Sequence, residues 1–204
     1  MSIDWKKVSY ILGQQIGSDL KNQGIQADVE TFCSSLKSAF NGEPSEMGQE
    51  EIQQVMTGFQ SFMQEKQMEM LKAEAEKNLV EGQAFLESNK AQDGIQTLPS
   101  GLQYRVLTEG EGNKPSAEDT IEAHYEGRLI DGTVFDSSYQ RGTPATFPVN
   151  RVIAGWTEAL QLMGTGSKWQ LFIPANLAYG EQGAPPAITP NATLIFDVEL
   201  LAIK

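Results

Sequence analysis

Between Thr120 and Lys204, rings and apolar side chains gather around one acid, Asp136. They are Tyr125, Phe135 followed by Asp136-Ser137-Ser138, Phe147, Val152-Ile153, Trp156, Tyr179 in Ala178-Tyr179-Gly180, and Phe196. No Ser-His-Asp set, metal-ligand cluster or phosphate-cradling glycine loop accompanies them. Such a set predicts a water-poor cleft with few polar groups, suited to chemistry that depends on desolvation and aim rather than proton transfer. Taken singly, each residue also has an ordinary reading. Trp156, Phe135 and Phe196 fit a core, Asp136 fits a turn cap with Ser137 and Ser138, and Tyr179 before Gly180 fits a loop.

A chain of 204 residues with 40% hydrophobic content is long enough for one large domain or two small ones. Its net charge of −12 and scattered Lys and Arg argue against nonspecific binding to nucleic acid or anionic membranes. Cys33 is the only cysteine, which rules out an intrachain disulfide. Its neighbours Val29, Phe32, Leu36 and Phe40 predict a buried, inert thiol on a helix. The N-terminal stretch from Trp5 to Gln15 interrupts its apolar run too often for a secretory signal, and no segment reaches the ~18 apolar residues of a membrane span. A single free thiol fits a reducing compartment, so a cytoplasmic location is expected; a removed export signal would make it periplasmic.

The elements that must position the ring set divide the chain. Eight of nine prolines lie at Pro99 or later, and six of seven methionines lie before it. The first half reads as three helices. The first runs from about Asp4 to Gln23, with Val8, Leu12, Ile16 and Leu20 at a spacing of four. Gly13 and Gly17 on one face suggest close backbone approach to another helix, or a slack, kinked helix. The second starts at Asp28 as N-cap and stops at Asn41-Gly42. The third begins near Gly48 and continues as far as Asn89; its apolar stripe ends near Leu71, beyond which it reads as a polar, solvated arm. About 40 helical residues span about 60 Å, wider than a small domain. Three helices make a thin core alone, which points to self-association as a dimer; the alternative is a helical cap packed on the second half.

The second half alternates with period two through Leu102, Tyr104 and Val106, then Ile121, Ala123, Tyr125 and Leu129, interrupted at Gly127. Asp131-Gly132 predicts a hairpin turn, and Gly155 to Met163 one short helix. Runs around Trp169 to Ile173 and Leu194 to Leu200 complete an antiparallel sheet wrapped over that helix. The expected fold class is α+β, with a helical dimerisation domain and connecting helix over 1–95 and the sheet domain over 96–204.

From about residue 100 to 204 the chain resembles the FKBP-type peptidyl-prolyl isomerase domain. The resemblance rests on His124-Tyr125-Glu126-Gly127, Asp131 to Ser138, Val152-Ile153-Ala154-Gly155-Trp156, Ala178-Tyr179-Gly180 and Ala192 to Leu200, in that order and spacing. The helical half is similar to the dimerisation arm of the bacterial subgroup that includes macrophage infectivity potentiator proteins, through Leu12-Gly13-Gln14-Gln15-Ile16-Gly17 and the long third helix. The resemblance implies a catalytic set of Asp136, Tyr179, Tyr125, Phe135, Trp156 and Phe196. Trp156 would form the floor, Tyr179 would donate its hydroxyl to a substrate carbonyl, and Asp136 would face the twisting amide. Val152, Phe147, Ile188 and Ile153, the last through its backbone N–H, would bind substrate. It implies no cofactor or metal. Expected partners are proline-containing unfolded chains, macrolides such as rapamycin, and a second copy of the chain. Ala184 stands where many eukaryotic relatives carry histidine, which leaves substrate preference open. His124 is expected in the core or behind the site.

An X–Pro bond rotates over a barrier of ~18–20 kcal/mol set by amide resonance. A dry cleft favours the less polar twisted state, so no covalent intermediate is required. Two functions follow: a dimeric isomerase that assists folding, or a holdase or scaffold whose isomerase cleft is vestigial.

Overall fold

The computed structural model describes residues 3–204, in two compact units that divide between Ser61 and Phe62. The first contains α1 (Trp5–Asn22), α2 (Val29–Phe40) and the opening turns of α3 (Gln49–Asn89). Asp4 and Asp28 cap the first two helices by accepting from the Lys7 and Thr31 backbone N–H groups at 3.3 and 2.7 Å. Neither helix buries a single residue within the chain, although both carry apolar stripes. Leu12 is 52% exposed and Phe40 92%. Cys33 is exposed too, correcting the expectation of a buried thiol: within the single chain nothing covers its face of α2.

The second unit is built on a seven-stranded antiparallel sheet. Its strands are β1 (Ile95–Thr97), β2 (Gln103–Thr108), β3 (Thr120–Leu129), β4 (Val134–Ser137), β5 (Ala145–Pro148), β6 (Lys168–Ile173) and β7 (Leu194–Ile203). Their order is β1-β2-β6-β7-β3-β4, with β5 also paired to β3. Between β4 and β5 lies a four-residue helix, α4 (Ser138–Arg141); α5 (Ala154–Leu160) crosses the inner face. Alternation works as expected on β3, where Ile121, Ala123 and Tyr125 are buried and Glu122, His124 and Glu126 are half-buried. The core joins these to Trp156, Ala159, Leu160 and Met163 from α5 and its exit turn, and to Leu171, Ile173, Val198 and Leu200. The Asp131-Gly132 turn links β3 to β4, with Gly132 at φ 89° and Asp131 accepting from the Thr133 N–H.

The end of α3 is not a solvated arm. Ala75, Asn78, Gly82, Phe85, Leu86 and Asn89 recur at steps of three and four, and all are buried or half-buried. Asn89, 2% exposed, donates to the Gln103 side-chain oxygen at 2.8 Å, and Gln103 donates to the Leu86 carbonyl at 2.9 Å. Phe85 tilts against Phe172 with centroids 6.0 Å apart. A helix stretch that looks polar by hydropathy therefore covers the outer face of β2 and β6 with small and hydrogen-bonding side chains.

Candidate active site

β3 presents Tyr125 to the inner face, and the hairpin returns Phe135 and Asp136 beside it: Gly127 pairs with Asp136, and Glu126 with Ser137. Gly127, which breaks the apolar alternation, has a steric reason. A Cβ there would lie 2.6 Å from both Phe135 Cε2 and Phe196 Cε1, so only glycine lets the two rings meet over the strand. They contact edge to face at 5.5 Å. Trp156, 4% exposed, comes from the first turn of α5. Its ring is edge-on to Tyr125, Phe147 and Phe196 at 5.3, 5.8 and 5.2 Å. Phe147 arrives from β5, and Tyr179 from the loop between β6 and β7.

These rings enclose a cleft of about 450 Å³, lined by Tyr125, Phe135, Asp136, Phe147, Arg151, Val152, Ile153, Trp156, Tyr179 and Phe196. Its polar groups are few, and two of them hold each other. The Tyr125 hydroxyl donates to Asp136 Oδ2 at 2.5 Å. Arg141 pairs with Asp136 Oδ1 and donates to the Tyr125 hydroxyl at 2.9 Å. Burial alone would raise the Asp136 pKa. The hydrogen bonds from Tyr125 and Arg141 and the guanidinium charge outweigh it and hold the carboxyl below its ordinary value. Burial raises the Tyr125 pKa, and its hydrogen bond to the carboxylate adds to that. Asp136 is thus a fixed anion with both oxygens occupied, a poor proton acceptor and a good orienting charge. The donors at this cleft without a partner among the described residues are the Tyr179 hydroxyl, the Ile153 N–H, the Arg151 guanidinium and the buried Trp156 Nε1.

Nine of the ten residues expected at the site line this cleft. Ile188 does not. It is 5% exposed in the core cluster, on a tight loop whose backbone bridges it to Ala184 (N–H to carbonyl at 2.8 and 3.0 Å). Ala184 also packs on the core and does not line the cleft. His124 lies behind the site, as expected. Its Nδ1 is 2.9 Å from Ser138 Oγ, which also accepts from the Tyr125 N–H at 2.7 Å, and its ring stacks on Tyr139 at 4.7 Å. Sequence reasoning missed Arg151 on the cleft wall and Arg141 behind Asp136. The signal for Arg141 was a short capped turn: Ser137 Oγ accepts from Gln140 N–H, and Gly142 closes it in the left-handed region at φ 73°.

An antiparallel sheet folded over one helix, with a ring-walled cleft and one immobilised carboxylate, is the design of an enzyme that turns bonds without breaking them. The chain belongs to the FKBP-type peptidyl-prolyl cis-trans isomerase family, and its activity is rotation about X–Pro bonds: the pattern of that isomerase matches residues 111–201, and that of the domain amino-terminal to it matches residues 5–106. Over 201 residues it is 46% identical to the probable FKBP-type peptidyl-prolyl cis-trans isomerase FkpA of Neisseria meningitidis serogroup B, covering 97% of this chain and 74% of that protein. Over 204 residues it is 43% identical to a Legionella longbeachae protein named outer membrane protein MIP, covering 100% and 88%. The crystal structure of FkpA from Escherichia coli superimposes with a TM-score of 0.81 at 36% identity, covering 100% of this chain and 98% of that one. That agreement includes the N-terminal helices and the C-terminal sheet. No helix among the described residues is long and apolar enough to cross a membrane.

Proposed function

We propose that rotation is catalysed in the ring-walled cleft, with Trp156 as the floor beneath the prolyl ring and Tyr125, Phe135, Phe147, Val152 and Phe196 as walls. Tyr179 donates its hydroxyl and Ile153 its N–H to substrate carbonyls. Asp136 faces the amide as a fixed charge. The observation that carries this is the convergence of donors without partners on a cleft whose only carboxylate is already saturated by Tyr125 and Arg141. The planar amide loses solvation on entry, and the twisted amide, with its smaller dipole, loses less. Bringing seconds to milliseconds takes about 10⁴–10⁵-fold, or about 5.5–7 kcal/mol, within reach of desolvation plus a few aimed hydrogen bonds. Asp136→Ala and Tyr179→Phe should each slow both a proline-limited refolding reaction and turnover of a short prolyl peptide. Unaltered rates in both variants would refute the assignment. Rapamycin, by the same reading, competes for the cleft.

We also propose that residues 1–95 act as a dimerisation domain and connecting helix, and residues 96–204 as the isomerase domain. Support comes from α1 and α2, which bury nothing within one chain while Leu12, Ile16, Leu20, Phe32, Leu36 and Phe40 line an apolar groove between them. A second copy covers that groove. The Met-rich, exposed part of α3, including Met56, Met68 and Met70, offers adaptable contacts for unfolded, proline-containing clients, giving holdase activity beside catalysis. Solution mass tests the dimer: a monomer at micromolar concentration would sink it. For the compartment, the name of the Legionella relative favours the envelope over the cytoplasm expected from the lone thiol. Cell fractionation decides.

A further inference from the structure

Tyr179 sits on a loop with 41% of its surface exposed, yet its hydroxyl must be aimed. The connecting helix offers the means. On α3, Asn78 Nδ2 donates to Thr189 Oγ1 and to the Pro190 carbonyl, both at 2.8 Å. The next residue, Asn191, holds a left-handed backbone (φ 57°) and donates its N–H to the Gly180 carbonyl at 2.8 Å. Its side chain reaches back to the Ala75 carbonyl at 3.4 Å. Gly180 directly follows Tyr179. One polar side chain on the helix is therefore joined, through a single turn of backbone, to the Gly180–Glu181 peptide unit, one residue on from the donor tyrosine.

We infer that Asn78 is a positioning residue for catalysis: through Thr189, Pro190 and Asn191 it fixes the backbone at Gly180 and so aims the Tyr179 hydroxyl. The last turns of α3 are then part of the isomerase and not merely a tether. A structural side chain of the usual kind would be apolar here; an amide whose two N–H groups match a hydroxyl and a carbonyl specifies one position of the loop rather than general adhesion. The role rests on Tyr179 being the donor proposed above.

The test is a double-mutant cycle in the 204-residue chain, read as kcat/KM on a short prolyl peptide. Losing a hydrogen bond of ordinary strength predicts that Asn78→Ala lowers kcat/KM by about 2- to 10-fold. In a Tyr179→Phe background, where there is no hydroxyl to aim, the same substitution should change the rate by less than about 1.5-fold. Thr189→Val breaks one of the bonds to Asn78 from the loop side without altering α3, and should show the same dependence on Tyr179. This variant covers the case in which Asn78→Ala loosens the fold. Amide exchange at Asn191 should quicken in both variants. Equal losses in both backgrounds, or no loss from either substitution, would overturn the positioning role. If Tyr179→Phe alone leaves the rate untouched, the donor assignment fails and the positioning role falls with it. If Tyr179→Phe slows the enzyme but Asn78→Ala and Thr189→Val do not, only the positioning role falls.

Discussion

Gly82 offers a test in which two well-understood effects have opposite signs. Glycine in an exposed helix interior costs about 1 kcal/mol relative to alanine, so Gly82→Ala should stabilise the chain if α3 were a free arm. In the structure Gly82 is buried, and a Cβ there would stand 2.2 Å from Thr193 Oγ1 and 3.1 Å from Thr193 Cβ. Rotating the threonine removes the first clash and not the second, because Cβ does not move with its own χ1. Either the helix lifts by some tenths of an ångström or Leu194, fully buried at the start of β7, yields. Overpacking of this kind costs about 1–3 kcal/mol, leaving a net destabilisation of about 1 kcal/mol after the helix gain. Urea unfolding followed by tryptophan fluorescence is well placed to read it, since Trp156 and Trp169 both lie in the unit that begins at Phe62. Thr193→Gly, which removes that Cβ, should show a coupling of about 1 kcal/mol with Gly82→Ala, whereas Thr193→Ala, which keeps it, should not. A Gly82→Ala protein that unfolds at higher urea than the parent would show that α3 does not dock as described.

Two further outcomes are expected. The folded-state pKa of Asp136 is depressed, so its favourable contribution is present above its unfolded value and is lost only as pH falls through the lower folded value. The kcat/KM profile should accordingly be flat from about pH 5 to 8 and decline only in acid; a titration near neutrality would contradict the fixed-charge role. A methyl group at Gly13 would have nothing within 4 Å in the single chain. Gly13→Ala should therefore add up to about 1 kcal/mol if α1 stays uncovered, but weaken self-association if a second copy packs there. Melting temperature as a function of protein concentration separates the two.

Much of this molecule was legible because its signals are local. Asp4, Asp28 and Asn41-Gly42 bound helices through their own backbones, β3 alternates because one face meets the core, and the rings of the cleft converge because short hairpins return them. What escaped detection depends on distant partners. The docking stripe on α3 mixes Ala75, Phe85 and Leu86 with Asn78, Gly82 and Asn89, so half of its positions carry no apolar signal and hydropathy reads the stretch as polar. Arg141 lies five residues beyond Asp136 and reaches it only because α4 makes one turn. Ile188 was expected at the cleft edge and lies in the core cluster, on a loop bridged to Ala184. Cys33 was expected to be buried, but one chain alone leaves its helix face uncovered.

The stripe on α3 also sets a phase. A greasy seam tolerates slippage, whereas Asn78, Gly82 and Asn89 each match one counterpart, over a length of about 16 Å. The helix is therefore keyed where it meets the sheet. One residue inserted between Asn78 and Asn89 would turn one end of the key by about 100° and shift it by about 1.5 Å against the other, so both ends could not seat together.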